Sequence, residues 1–158
     1  MKLYFLRHGH AEDGFDKSDH DRELTPEGIE RMQTAAQVMA RLNLNLKHIY
    51  SSPRIRALQT AEITAKAMNL QVEIREEVNF GFHAGQVKQM IAGMGADDSV
   101  MFVGHEPTMS ETIKMLTGAN VNMKKGSLAR VDVIGSSIVN GTLEFLISPK
   151  VFDTLGSA

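Results

Sequence analysis

Arginine and histidine residues gather in three short segments of the chain. The segments read Arg7-His8-Gly9-His10, Ser51-Ser52-Pro53-Arg54-Ile55-Arg56 and Gly104-His105-Glu106-Pro107. Arginine presents a planar fork of donors that matches the oxygens of a phosphate group. A neutral imidazole is a competent nucleophile near neutral pH. Together these side chains favour phosphoryl transfer, in which catalysis is mainly positioning and electrostatic stabilisation of the equatorial oxygens.

The residue types and motifs that the chain lacks limit which side chain could be the nucleophile. It contains no cysteine, which excludes cysteine-based phosphatase chemistry and thiolate metal sites together. It also has no Gly-x-Ser-x-Gly elbow that would activate a serine. His8 is therefore the strongest candidate.

Each segment alone has a simpler interpretation. An Arg-His pair after a strand is usually a surface loop, and a histidine before a helix, such as His105, is usually a cap or a packed side chain. Arg54 and Arg56 are harder to dismiss, because positive charge at the start of a helix opposes the macrodipole. We therefore expect an anion to offset that charge.

The three segments follow predicted strands. Short apolar runs alternate with amphipathic stretches, which is typical of a parallel sheet with crossover helices. Ligands bind beyond the carboxyl ends of the strands in such sheets, so Arg7, Arg56 and His105 should meet there around His8. The predicted strands are 3–6, 47–50, 71–75, 100–103, 128–134 and 142–147.

Apolar residues at helical spacing predict four helices between these strands. The first is capped by Thr25, with Pro26 following it, and the second is capped by Ser52. The third spans 86–94 and carries its apolar residues on one stripe.

The fourth helix starts at Pro107 and ends at Gly118. The connection 135–141 is too short for a crossover helix, so the last two strands should pair as an antiparallel hairpin. The sequence therefore predicts a single-domain, three-layer α/β/α sandwich. Its central sheet has about six strands and is mostly parallel, with one antiparallel edge strand.

The length and composition of the chain limit which binding partners and which cellular compartment we expect for the protein. The 158 residues suit one domain, 1–158. The net charge of −2 gives no basic footprint for nucleic acid. No segment is long and apolar enough for a membrane span, and the N-terminal apolar run is too short for a signal peptide. We expect a cytoplasmic protein that binds neither nucleic acid nor membrane.

The segments, taken in order, resemble one family. Leu6-Arg7-His8-Gly9 resembles the Arg-His-Gly signature of the histidine phosphatase superfamily, which includes the phosphoglycerate-mutase-like enzymes. Residues 51–60 and 103–107 resemble its second and third blocks, and 22–28 is similar to the segment that opens the first helix in short members. The short chain and the start at 7–12 are most similar to the SixA-type phosphohistidine phosphatases.

This resemblance implies a phosphoglycerate-mutase-like fold, no metal and no other cofactor. His8 would attack phosphorus and become phosphohistidine, and water would then release phosphate. Arg7, Arg56 and His105 would hold the equatorial oxygens, so that Arg56 rather than Arg54 is the phosphate arginine. Phosphate or sulfate should also bind in this pocket. The expected substrate is a phosphohistidine-bearing signalling or phosphotransfer protein, and a small phosphorylated molecule is the alternative.

The chain departs from the larger members where they carry a carboxylate that protonates the leaving oxygen. Residues 76–85 of this chain do not match the sequence that the larger members usually have in this region. Glu77 is a candidate acid, although a solvated charge at a strand end is the commoner reading. A phosphoramidate needs less help from an acid than an ester does. Arg22 is a candidate at the substrate rim, His83 either lines the pocket or caps a turn, and His10 should face solvent.

Three other readings remain open. A small-molecule phosphomonoesterase would use the same pocket, and a non-catalytic phosphate-binding module would carry the same residues. His8-Gly9-His10 suggests a metal hydrolase, but a metal site needs further ligands within reach. The barrel folds that begin in this way need about 250 residues. A mutase is disfavoured, because the chain lacks the insertions that usually enclose a sugar phosphate.

Overall fold

A six-stranded β-sheet lies at the centre of the computed structural model, which describes residues 1–134 and 137–157. The sheet order is β3-β2-β4-β1-β5-β6. Strands β1, β2 and β4 run parallel side by side and are almost wholly buried, as expected for strands covered on both faces. The bounds are β1 (Lys2–Arg7), β2 (His48–Ser51), β3 (Val72–Ile74), β4 (Ser99–Gly104), β5 (Leu128–Ile134) and β6 (Ser137–Ile147).

One strand of the sheet, β5, runs against the others and pairs antiparallel with both β1 and β6. The predicted antiparallel strand lies at the edge, whereas the structure places it second from the edge. Because the chain reverses direction again between β5 and β6, the edge strand β6 is parallel to β1. Gly135 and Ser136 belong to the predicted hairpin connection and lie outside the described residues.

Helices cover both faces of the sheet. Met32, Ala57 and Phe152 belong to one hydrophobic cluster, which joins α1, α2 and α5 to the sheet. Val87 and Met109 belong to a second cluster, on α3 and α4. The predicted three-layer sandwich is therefore confirmed. The bounds are α1 (Pro26–Arg41), α2 (Ile55–Ala67), α3 (Ala84–Met90), α4 (Thr108–Thr117) and α5 (Pro149–Gly156), with 3₁₀ turns at Asp19–Asp21 and Glu76–Val78.

The first two helices begin in different ways. Thr25 Oγ1 accepts a hydrogen bond from the Gly28 amide at 3.0 Å, so α1 is capped as predicted. The predicted cap of α2 is wrong. Ser52 Oγ accepts from the Arg54 amide at 3.2 Å in a tight turn, and the helix begins only at Ile55. Serine side chains often stabilise such local turns in place of a helix cap.

The other helices also differ in detail from the prediction. Helix α3 begins earlier and is shorter, because His83 Nδ1 accepts from the Gly85 amide at 3.1 Å and caps it. Helix α4 begins at Thr108, one residue after the predicted start, and it is capped as predicted by Gly118, whose φ of 78° suits glycine. Helix α5 was not predicted, although Ser148 and Pro149 repeat the start signal of α1. None of the helices in the described ranges is long and apolar enough to cross a bilayer.

Candidate active site

The three predicted segments meet at the carboxyl ends of the central parallel strands. The His8 amide donates to the Gly104 carbonyl at 3.0 Å, and the Ser52 amide donates to the Val103 carbonyl at 3.0 Å. These bonds extend the pairing of β1 with β4 and of β2 with β4 into the loops that follow. The register of the sheet therefore brings the arginine and histidine residues to one edge.

His8 lies just beyond β1 and is only 6% exposed. Its Nδ1 is 2.7 Å from the Gly9 carbonyl oxygen, which can only accept, so Nδ1 carries the proton and Nε2 keeps its lone pair. Burial lowers the pKa of His8 to about 3, and the positive charges of Arg56 and Arg7 act in the same direction. The imidazole is therefore neutral at physiological pH.

His105 packs beside His8, with 5.3 Å between the two ring centroids. Its Nε2 hydrogen-bonds with Ser52 Oγ at 2.8 Å, and the Phe80 ring meets its ring edge-on with centroids 4.9 Å apart. Burial is the main cause that lowers the pKa of His105 to about 3, and the neighbouring His8 and Arg56 contribute to that lowering. Its Nδ1 is buried and has no partner in the described part of the chain.

Arg7 and Arg56 approach the histidine pair from different elements. Arg7 Nη1 donates to the Met123 carbonyl at 2.8 Å, while Arg7 Nε is buried without a partner within residues 1–134 and 137–157. Arg56 lies in the first turn of α2 and is 4% exposed. Burial of this kind strengthens the interaction of a guanidinium with an anion.

Thr60 connects the end of β1 to helix α2. Its side chain is fully buried. Thr60 Oγ1 accepts from the Gly9 amide at 3.1 Å and donates to the Arg56 carbonyl at 2.8 Å. Thr60 was not among the residues predicted for the site, although it lies one turn after Arg56 and is a polar residue on the buried face of α2, which could have signalled a role.

Asp19 supplies the anion that the arginine-rich start of α2 requires. Its carboxylate bonds Arg22 at 3.0 Å, Arg56 at 3.1 Å and also Arg54, and its carbonyl accepts from Arg56 at 2.8 Å. Partial burial acts to raise the pKa of Asp19, but the hydrogen bonds from Arg22 and Arg56 outweigh it and the pKa is lowered. The carboxylate is therefore charged. The expected anion belongs to the chain itself.

Arg22 and Arg54 lie around this carboxylate, nearer the surface than Arg56. Arg22 Nε donates to the Glu12 carbonyl at 2.8 Å, which fixes its guanidinium beside Asp19. The Arg54 guanidinium lies 3.7 Å from the centroid of the Phe80 ring. Arg22 thus reaches the arginine cluster, and its role toward substrate stays a prediction.

The remaining residues that the sequence suggested for the site make ordinary structural contacts. Glu77 accepts from Arg75 at 2.7 and 3.3 Å, and this pairing lowers the pKa of Glu77. A carboxylate held in its charged form is a poor general acid. His83 caps α3 and is exposed, and His10 faces solvent with its Nδ1 3.1 Å from Thr25 Oγ1.

The metal-hydrolase reading needs several ligands in one place. Over residues 1–134 and 137–157, no three His, Asp or Glu side chains are grouped to hold a metal ion.

Comparison with known proteins gives the family. Residues 3–115 match the model of the histidine phosphatase superfamily, branch 1. An uncharacterized protein of Picosynechococcus sp. is 34% identical over 173 residues, which cover 95% of this chain and 98% of that protein. An uncharacterized chloroplastic protein of Arabidopsis thaliana is 28% identical over 152 residues, covering 86% and 68% respectively.

Solved structures give the same fold. The protein histidine phosphatase SixA in complex with tungstate superposes with a TM-score of 0.84 at 24% identity, covering 95% of this chain and 98% of that one. A protein from Agrobacterium tumefaciens described as the phosphohistidine phosphatase SixA gives 0.79 at 25% identity, covering 94% and 97%. The chain belongs to the histidine phosphatase superfamily, and it is a phosphatase of SixA-like structure.

Proposed function

We propose that this phosphatase removes phosphate from phosphohistidine on a signalling or phosphotransfer protein, through a covalent phosphohistidine on His8. One observation carries the proposal above the others. His8 is buried and neutral, and its Nδ1 is committed to the Gly9 carbonyl. Its Nε2 lone pair is therefore available for attack without prior removal of a proton.

The reaction has two displacements. His8 Nε2 forms a bond to phosphorus while the bond from phosphorus to the substrate imidazole breaks, and the leaving nitrogen takes a proton from water. Water then attacks the phosphorus on His8, the new phosphorus–nitrogen bond breaks, and inorganic phosphate leaves. Arg7, Arg56 and His105 bind the equatorial oxygens during both steps.

Two buried polar atoms support a bound oxyanion beside His8. Arg7 Nε and His105 Nδ1 have no protein partner among the described residues. A buried donor without a partner costs about 1–3 kcal/mol. Phosphoryl oxygens would satisfy Arg7 Nε and, in the tautomer whose Nε2 accepts from Ser52 Oγ, also the Nδ1–H of His105. The phosphoryl group would also compete with Asp19 for Arg56, since both present oxygens to the same guanidinium.

The charged state of Glu77 favours a phosphoramidate over an ester. Glu77 is held charged by Arg75, so it is poorly placed to protonate an alkoxide leaving group. An imidazole leaves from phosphorus more readily than an alkoxide and needs less protonation. Phosphohistidine is therefore favoured over small phosphomonoesters as the substrate of this pocket.

Phosphate trapping tests the nucleophile. The enzyme is mixed briefly with radiolabelled phosphoramidate, denatured, and tested for label that is stable in base and lost in acid. We expect such label on the wild type and on His20→Ala, a control at an exposed histidine, and none on His8→Ala. Label that persists on His8→Ala would mean that another group attacks phosphorus.

A substrate panel tests the substrate class. Phosphohistidine peptide and phosphoramidate are compared with p-nitrophenyl phosphate and phosphoserine at one enzyme concentration. We expect a higher kcat/KM for the two phosphorus–nitrogen substrates. Much faster turnover of the two esters would contradict the proposal and favour the phosphomonoesterase. No turnover of any of the four would favour the phosphate-binding module.

A further inference from the structure

A cleft of about 490 Å³ opens beside the nucleophile, and its walls are positively charged. We call it the basic cleft. Its floor is apolar and includes Met32, Ala35 and Phe152. Asp153 is the one carboxylate among its lining residues. The cationic side chains that line it are Arg7, Arg31, Lys124, Lys125 and Lys150.

The three lysines among these cations are not neutralised by the chain. Arg31 is paired with Asp153 at 2.7 Å, so these two charges cancel. Lys124, Lys125 and Lys150 are exposed, and they form no ion pair within 4 Å in the described ranges. The whole protein has a net charge of −2. The basic cleft is therefore a local positive feature on a slightly acidic molecule.

The basic cleft adjoins the catalytic site and shares Arg7 with it. Arg7 and Gly9, which flank the nucleophile in sequence, both line the cleft. The Gly126 amide donates to the carbonyls of Arg7 at 3.1 Å and His8 at 3.0 Å, which ties the lysine-bearing turn to the end of β1. Burial is the main cause of the lowered pKa of His8, and Lys125 adds a smaller effect of the same sign. Lys125 directly precedes Gly126, whose amide bonds the His8 carbonyl, so Lys125 lies near the nucleophile.

We infer that the basic cleft binds acidic side chains that flank the phosphorylated residue of a protein substrate. This inference rests on the proposed function and adds a substrate preference to it. The specificity residues are Lys124, Lys125 and Lys150, which none of the phosphoryl-transfer steps uses. Lysine ammonium groups on flexible stems suit carboxylates at variable positions, whereas planar arginine forks suit phosphate.

The position of the lysines favours a protein over a metabolite. Pockets for small ligands enclose about 70–90% of the surface of the ligand. Here the lysines are exposed along the outer wall, where a docked protein surface would reach them. Opposite charge on the two surfaces would also speed their encounter at low salt.

Two phosphohistidine peptides test the inference. They differ only in carrying Asp or Asn on both sides of the phosphohistidine. Two exposed ion pairs predict a kcat/KM about fivefold to tenfold higher for the Asp peptide. The preference should fall below about twofold in about 0.5 M NaCl, because exposed charges are screened there.

Substitutions test whether the lysines of the basic cleft cause the preference for the Asp peptide. Lys124→Gln/Lys150→Gln removes two charges from the cleft and leaves Lys125, the lysine near His8, in place. We expect this variant to lose most of the preference for the Asp peptide. The matched control, Lys66→Gln/Lys114→Gln, removes two exposed charges from α2 and α4 and should keep the preference.

Each outcome has a distinct meaning. Equal kcat/KM for the two peptides on the wild type, or a preference that survives Lys124→Gln/Lys150→Gln, overturns the inference and leaves the proposed function intact. Hydrolysis of neither peptide overturns both. Equal loss in the control variant overturns the assignment to the basic cleft.

Discussion

Acid should destabilise this fold mainly through the two buried histidines of the site. Burial lowers the pKa of His8 and of His105 to about 3, from an ordinary value of 6.5. In the unfolded chain both return to about 6.5. Between pH 6.5 and pH 3 these histidines bind protons in the unfolded chain but not in the folded chain. The free energy of unfolding therefore falls as the pH drops through this range.

The size of the effect follows from the two pKa values. Between pH 7 and pH 5, each histidine lowers the free energy of unfolding by about 2 kcal/mol, and the pair lowers it by about 4 kcal/mol. A domain of this size is usually stable by about 5–15 kcal/mol. The loss is therefore large enough to measure by urea unfolding.

The free energy of unfolding is measured by urea unfolding for the wild type and for the double variant His8→Asn/His105→Asn, each at pH 7 and at pH 5. The buffer contains no phosphate, because a bound ligand would stabilise the fold. We expect the wild type to lose about 4 kcal/mol more than the double variant between the two pH values. His10→Asn/His20→Asn removes two exposed histidines as a control. A double variant that loses as much as the wild type would refute the reasoning.

Two further predictions concern carboxylates. Asp19→Asn removes a carboxylate that contacts Arg22, Arg54 and Arg56, and we expect the competitive inhibition constant of inorganic phosphate to fall about fivefold. Asp21→Asn is the control, and weaker inhibition in Asp19→Asn would contradict competition. Glu77→Gln should leave kcat on phosphoramidate within about twofold of the wild type, whereas loss of a general acid costs about a hundredfold or more.

The strands that carry the site could be predicted because they are buried on both faces. Strands β1, β2 and β4 read as short apolar runs, and the residues that follow them hold the chemistry. An anion near the positive charges at the start of α2 was also predicted, and Arg54 and Arg56 both pair with the carboxylate of Asp19. Both conclusions needed only local sequence and the topology of a parallel sheet.

Contacts made across the fold were not predictable in the same way. Asp19 lies in a polar loop without periodicity, and nothing local separates it from Asp13, Asp16 or Asp21. Only the packing of that loop against α2 selects it. The basic cleft likewise joins lysines from the turn before β5 and from α5, which are distant in sequence. Helix α5 itself was missed despite its Ser-Pro start.

The buried hydroxyl of Thr60 sets how rigidly the reactive groups are held. One oxygen accepts from the amide after His8 and donates to the carbonyl of Arg56. One side chain therefore joins the backbone beside the nucleophile to the backbone of the arginine assigned to the phosphate. Serine could keep both bonds but would turn more freely about χ1 than threonine does. Thr60→Ser would thus keep the hydrogen bonds that join these two segments but hold them in a less restricted geometry, through the loss of one buried methyl group.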